Sequence, residues 1–433
     1  MQFGYAQSDI TPSKPIPIAG QMHVRMGNYT HDPLTVNAVA MSSGDIRVVL
    51  VSCDLLIMPG ELANNVQAEC QKAYGIPARS VIIGSIHTHL APFTEDWLGI
   101  SDCDPNYIEE LQAKLVKTVG RALNDLEEVE VYAGAGYLEQ MGFNRRGLHH
   151  GGKCDMYHGS WLDGFEGVEG PRDGEVGVVF AKRPDGSVKV VISSFSTHPN
   201  SVEGESFYSA DLAGSVRMFI RRNLGEDVGV VYLTGAAGNT APSKLDDNKD
   251  RKMPWRGEEG WKRSGLYLGG EIVKIISGTV EPMQNPSLRL EQATVPIAIR
   301  EWPKNLNPAD MPGGFREYYT KMLAEWPRIL AEESPADVRL NVVRVGDAAI
   351  CTTPAELFVE HGLAMKNKSK AKVTLLSELT DGYVGYVPTK DAFLHGGYET
   401  WPAISSLLKE NAGEIIVENI GTLLNRAFSD KDR

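Results

Sequence analysis

Short apolar runs separated by turn residues set the pattern of the chain. Residues 47–53 (Arg-Val-Val-Leu-Val-Ser-Cys) and 80–85 place apolar side chains on consecutive positions, as strands buried on both faces do. Between them, 61–74 has helical character, and 105–126 is strongly helical over a longer stretch. That order predicts a β-α-β unit within a partly parallel sheet. Residues 175–181 and 188–195 flank Pro184-Asp185-Gly186 and predict a hairpin. A buried strand is expected at 228–233, followed by the Gly-rich run Gly235-Ala-Ala-Gly-Asn239, and a helix at 261–276. The last third predicts a strand at 288–299, a helix at 315–332, a hairpin of 338–345 with 348–352, and helices at 355–365 and 413–428. Two segments, 149–170 and 245–260, read as long loops. The pattern as a whole predicts an α/β fold: one large domain over 1–433, with a mixed, partly parallel sheet and long loops.

Composition narrows the function classes. A chain of 433 residues with 42% hydrophobic and 23% charged residues can bury a large core, which argues against disorder. A formal net charge of -13 repels phosphate backbones and anionic lipid, so neither nucleic acid nor stable membrane association is expected. The five cysteines form no Cys-x-x-Cys pair, which disfavours a disulfide framework or an all-cysteine metal site. No apolar run reaches the roughly 18 residues of a membrane span. No basic segment followed by an apolar stretch opens the chain, so a cytoplasmic location is the expectation. The sequence is silent on oligomeric state.

Ten histidines are few enough for their grouping to matter. His87 and His89 stand two apart after a predicted strand, a spacing that sends both side chains to one face if the strand continues. Ligands in open α/β sheets bind beyond the carboxyl ends of strands. His198 also ends a predicted strand, and Pro199 biases it toward an extended conformation. Two such imidazoles need a carboxylate to complete a metal site that keeps room for water. Glu356 is a candidate, with the alternative of stabilising the first turn of the helix predicted at 355–365. Asp211 is read either as an acceptor orienting an imidazole or as an N-cap for a helix at 212–222. The 149–170 loop, with His150 and Trp161, has a composition suited to a polar ligand such as a sugar or small amide.

Together these segments resemble the catalytic domain of the neutral/alkaline non-lysosomal ceramidase family. The resemblance rests on Ser8-Asp-Ile-Thr-Pro12, Asp32-Pro-Leu34, Leu50-Val-Ser-Cys-Asp54, His87-Thr-His89-Leu-Ala-Pro92, Asn144-Arg145 and Glu175-Val-Gly-Val178. His198-Pro199, Gly235-Ala-Ala-Gly-Asn239 with Pro242, Pro354-Ala-Glu356, Gly385-Tyr386-Val387 and Tyr398-Glu399 follow in order. It spans about residues 1–410 and does not extend to the family's immunoglobulin-like domain. It implies a Zn2+ ion held by His87, His198, Glu356 and Tyr386 at the strand tips, with His89, Arg145 and Tyr398 lining the reacting centre. Asp54 joins Asp211 as a candidate carboxylate behind the ligands, and Arg146 is read as a solvated charge. The implied activity is zinc-dependent hydrolysis of a linear N-acyl amide, with small molecules as partners.

One segment departs from the family. Where its members have Gly-Asp-x-Ser-Pro, this chain has Gly238-Asn-Thr-Ala-Pro242. Asn239 and Thr240 are accordingly candidate substrate contacts, together with His150 and Trp161, and a soluble polar substrate is expected. The alternatives are a metal-dependent esterase or lactonase, a carbonyl isomerase or lyase, and a non-catalytic binding protein.

Overall fold

The computed structural model describes residues 1–429. Three sheets of four or five strands are built on a common plan. The first runs in the order Val81–Ser85, Ile46–Cys53, Thr35–Ser43, Gln2–Asp9, Glu127–Glu128. The second runs Gly229–Thr234, Val188–Phe195, Glu175–Lys182, Glu130–Tyr137. The third runs Leu288–Ile297, Ala336–Val345, Ala348–Thr352, Val373–Ser377. Each sheet is antiparallel except for one parallel pair at its edge. A helix links the two strands of each such pair: Gly60–Tyr74, Asp211–Leu224 and Val359–Lys368. This is the mixed α/β architecture expected from the sequence.

The period of two along the strands explains how the sheets assemble. In Thr35–Ser43, Val39 and Met41 enter a core shared by all three sheets, while Val36, Ala38 and Ala40 face the helices Gly60–Tyr74 and Pro105–Asn124. Val190 and Ile192 of the second sheet and Val343 and Ile350 of the third fill the same shared core. Helices Asp211–Leu224 and Gly270–Gly278 cover the outer face of the second sheet, and Ala412–Ala427 that of the third. Both faces of the strands are thereby dry, which is why they read as unbroken apolar runs. The parallel strand ends of the three sheets converge on one region, where the polar groups described below gather.

Three elements differ from expectation. The segment 149–170 is not loop throughout: Lys153–Met156 and Phe165–Val168 pair with Arg146–His149 in a three-stranded antiparallel sheet, and 157–164 remains irregular. Gly151 and Gly152, at φ 83° and 67°, make its tight turn, and its half-exposed strands lack the apolar run that marks buried ones. Glu356 does not open a helix. Glu356–Leu357 pairs in parallel with Tyr386–Val387, and the helix starts at Val359. The helix predicted at 261–276 is longer and is interrupted by a π-turn at Gly265–Gly269. All five cysteines are free, and no helix of the described residues is long and apolar enough to cross a membrane.

Asp54 fastens the first sheet to the second. It lies just beyond Cys53, fully buried, and receives both terminal nitrogens of Arg217, from helix Asp211–Leu224, at 3.0 and 2.8 Å. Its Oδ2 also accepts from the amide and hydroxyl of Thr35, each at 2.7 Å. Removing one partner of such a pair strands a buried charge. Asp54→Ala is therefore expected to lower unfolding free energy by about 3–5 kcal/mol in denaturant titration. Adding Arg217→Leu should recover part of that loss; a double variant no more stable than the single one would contradict the assignment.

Candidate metal centre

His87 sits two residues beyond strand Val81–Ser85, in a turn and not on an extended strand. Its φ is +69°, a left-handed conformation costly for a residue with a Cβ. Leu55 O holds the turn, accepting from the amides of His87 and Thr88 at 3.0 and 3.2 Å. The turn, rather than strand alternation, brings the rings of His87 and His89 to 4.9 Å centroid separation. His198 lies three residues beyond Val188–Phe195, and its ring lies 4.7 Å from that of His87. Glu356 is placed by its strand pairing, with its amide donating to Gly385 O at 2.9 Å. Gly238 lets the Gly-rich run press against this segment: a Cβ there would lie 2.5 Å from Glu356 O.

The hydrogen bonds fix where the lone pairs point. His87 Nδ1 lies 3.0 Å from Leu56 O, and His198 Nδ1 lies 2.7 Å from Ala237 O. A carbonyl only accepts, so each Nδ1 carries the proton and, in the neutral ring, each Nε2 carries a lone pair. Both Nε2 atoms face the same carboxylate oxygen, Glu356 Oε2, at 3.2 and 3.5 Å. Among the described residues neither His198 Nε2 nor Glu356 Oε2 has a hydrogen-bond partner, although both are buried. Three electron-rich atoms thus converge in a dry pocket. Donors about 2.1 Å from a tetrahedral zinc lie about 3.4 Å from one another, so the spacing fits an ion between them.

Electrostatics agree with that arrangement. Burial, then Arg145, pushes the His198 pKa down to about 3, so the ring stays neutral. Burial opposes the Glu356 charge, but His87 and His198 outweigh it and hold the carboxyl well below its usual range. Burial lowers the His89 pKa. One donor atom from each of His87, His89 and His198 lies within 4.8 Å of the others, so the three rings form a candidate metal-binding group.

Arg145 and the tyrosines complete the wall. Arg145 donates from Nη2 to Tyr386 Oη at 3.1 Å and from Nε to Glu399 Oε1 at 3.2 Å. The Tyr386 ring stacks toward His198 at 6.5 Å, and Tyr398 lies 5.8 Å from Tyr386. Burial and the nearby Glu356 hold the Tyr386 phenol well above its usual range, with Arg145 opposing. His87, His89, Arg145, Glu356, Tyr386 and Tyr398 all border one cavity of about 170 Å³. His198 adjoins it behind His87.

The other candidates lie elsewhere. Asp54 serves Arg217 rather than an imidazole. Asp211 accepts from the amides of Ser201, Val202 and Leu212 at 3.0, 3.1 and 2.6 Å, bracing the segment after His198 without touching a ring. Backbone carbonyls take the orienting role expected of these two carboxylates. Asn239 is fully buried, bridging Val359 N at 2.8 Å and Glu360 Oε2 at 2.9 Å, and Thr240 donates to Ser196 O. His150 points to solvent beside Glu166, and Trp161 packs under Arg251. None of these four borders the cavity. Arg146 is not solvated: it is buried, paired with Glu399 at 2.7 Å and with Glu169 at 2.5 Å.

Three groups escaped sequence reading. Tyr383 donates to Glu356 Oε1 at 2.8 Å. Glu203 Oε2 lies 3.3 Å from His89 Nδ1, and its other oxygen accepts from Arg256 at 2.7 Å. Burial disfavours the Glu203 charge, but His89 and Arg256 more than offset it and lower its pKa. Glu399 carries both arginines. Its position next to Tyr398 was the only signal for it.

An α/β frame of three sheets with a buried His-His-Glu cluster at its strand ends defines the chain as a candidate metalloprotein. Comparison with solved structures gives that frame a closer likeness. Neutral ceramidase from Pseudomonas aeruginosa superposes with a TM-score of 0.75 at 17% identity, covering 98% of this chain and 74% of that one. A structure described as ceramidase complexed with C2 gives 0.73 at 16%, covering 98% and 75%. The chain therefore has the neutral ceramidase fold, as its motifs suggested. No protein-family model and no curated protein matches the sequence.

Among the described residues, Tyr383 supplies the only donor that restrains Glu356 Oε1. Tyr383→Phe is expected to weaken divalent-ion binding by about 10–100-fold, the usual cost of losing a partner that orients a ligand. Metal titration of apo-protein with a thermal-melt control measures it; unchanged affinity would remove Tyr383 from the site.

Proposed function

We propose that the chain is a zinc-dependent amide hydrolase, a single catalytic domain over 1–433 acting on a small N-acylated substrate. The observation carrying this reading is the convergence of His87 Nε2 and His198 Nε2 on Glu356 Oε2, with each Nδ1 held by a backbone carbonyl. The ceramidase fold supports an amide as the bond. In this reading His87, His198, Glu356 and Tyr386 hold the ion.

A zinc ion held by these residues would supply acidification of water and polarisation of the scissile carbonyl. The residues around it handle position and protons. His89, beside Glu203, takes a proton as water adds to the carbonyl carbon and returns it to the departing nitrogen. The C–N bond breaks, leaving a carboxylic acid and an amine, and transfer of the acid's proton gives carboxylate and ammonium. Tyr398 donates to the carbonyl oxygen as negative charge grows there. Arg145, clamped by Glu399, keeps the Tyr386 phenol in place and adds positive charge to the wall.

The cavity argues for a small acyl group. Met22, Leu56, Trp97 and Phe315 give it an apolar flank, and Gln21, Glu203 and Ser405 a polar one. Its volume of about 170 Å³ lies below the roughly 300–1,000 Å³ of drug-sized pockets. A short acyl chain on the apolar flank and a polar amine beside Glu203 match these walls.

His87→Ala and His198→Ala are each expected to hold one zinc per chain fewer than wild type. Turnover should favour short N-acyl amines over long-chain amides, esters, lactones and keto-sugars, and one atom of oxygen from labelled water should enter the carboxylate. Zinc content unchanged in both variants, or a product without labelled oxygen, overturns the reading.

A further inference from the structure

A second group of metal-ligating side chains lies outside this cavity. We propose that His149, Asp155 and His158 form a peripheral, solvent-accessible site for a divalent transition-metal ion. One donor atom from each lies within 4.8 Å of the others.

The backbone builds the cluster. Gly147 pairs with Asp155 across the hairpin, so His149, two residues on, projects from the same face as Asp155. Tyr157, at φ +62°, turns the chain back so that the His158 ring stacks on that of His149, with centroids 4.4 Å apart. That close return requires glycine at 147, where a Cβ would lie 1.7 Å from His158 O. His149 Nε2 donates to Asp155 Oδ2 at 2.9 Å, so an ion held by that nitrogen and the carboxylate takes the place of this proton.

The donor set suits an ion. His158 Nε2 lies 3.0 Å from Asp163 O. The carbonyl only accepts, so this nitrogen carries the proton and Nδ1 keeps the lone pair. The same device frees the Nε2 atoms of His87 and His198, and a carbonyl or carboxylate behind the ring is the usual partner of a metal-ligating histidine. Two imidazoles and one carboxylate favour zinc, nickel or copper over calcium or magnesium. The Asp155 side chain is 59% exposed and that of His149 21%, leaving a path for entry and room for water ligands.

The location gives such an ion a consequence. Asp155 and His158 flank Met156 and Tyr157, and both of those border the candidate active cavity. Tyr157 Oη accepts from Asn200, two residues beyond His198. An ion joining Asp155 to His158 would restrain the stretch of wall between them.

The experiment counts zinc on chelated, full-length protein by equilibrium dialysis against ZnCl2. The His87→Ala/His198→Ala chain is expected to bind one ion. Adding His149→Ala/His158→Ala should weaken that remaining binding at least 100-fold, with melting temperature in chelator unchanged. Asp155→Asn on the same background should weaken it less. No ion bound by the His87→Ala/His198→Ala chain overturns the proposal, as does an ion retained when all four histidines are replaced. The primary site fails separately: in that case His87→Ala/His198→Ala binds as many ions as wild type.

Discussion

Two imidazole nitrogens and one carboxylate oxygen, all buried, converge on a common centre. In a low-dielectric interior such an arrangement is unfavourable on its own, since each acceptor has surrendered its water. The surroundings hold it in place nonetheless. Leu56 O and Ala237 O take the two ring protons that would otherwise relieve the repulsion, and Tyr383 occupies the far oxygen of Glu356. Each constraint turns an electron pair inward. The arrangement suits a cation at the centre, and the rest of the site is organised around these three groups.

The three-sheet frame explains how distant residues meet there. His87 follows the edge strand of the first sheet's parallel pair, whereas His198 and Glu356 follow the inner strands of the parallel pairs in the second and third sheets. The orienting carbonyls also follow parallel strands, Leu56 after Ile46–Cys53 and Ala237 after Gly229–Thr234. Ligand and orienter thus come from neighbouring strands of one sheet, and the shared core fixes the sheets relative to one another. The left-handed turn at His87 costs of the order of 1–3 kcal/mol. Packing offsets that cost: Thr88 donates to Ser209 O across to the second sheet, and Ile86 is fully buried.

The sequence made the strands legible because burial on both faces leaves runs such as 47–53 with almost no polar residue. It made the cluster legible because His87 and His198 both end such runs. Other features were hidden for physical reasons. Hairpin Arg146–Met156 has exposed faces and a Gly-Gly turn, so composition reads it as loop. Glu356 looks like a helix start because the two residues pairing with Tyr386–Val387 are too few to show a period. Arg146 is charged and follows another arginine, yet Glu169 and Glu399, distant in sequence, neutralise it in the interior. Carboxylates were sought behind the imidazoles, whereas carbonyls, which no side-chain pattern reveals, hold them. Asp54 and Asp211 stand near the ligands in sequence for another purpose, bracing the segments that carry them.

The run Gly238-Asn-Thr-Ala-Pro242 shows how a shared fold and a distinct site can coexist. Asn239 spends its side chain on Val359 N and Glu360, and its carbonyl on Arg145 N. Thr240 pairs with Asn144 in a two-residue ladder. Both residues hold Arg145 and helix Val359–Lys368 in place from behind, so neither has a free group to offer a ligand. The walls a ligand meets come instead from Gly20–Met22, Met156–Tyr157, Phe315 and Tyr398. These segments lie outside the three-sheet core and belong to turns, a small hairpin and a helix end. Selectivity therefore depends on parts of the chain that the core does not constrain, and a common frame leaves the substrate to be decided there.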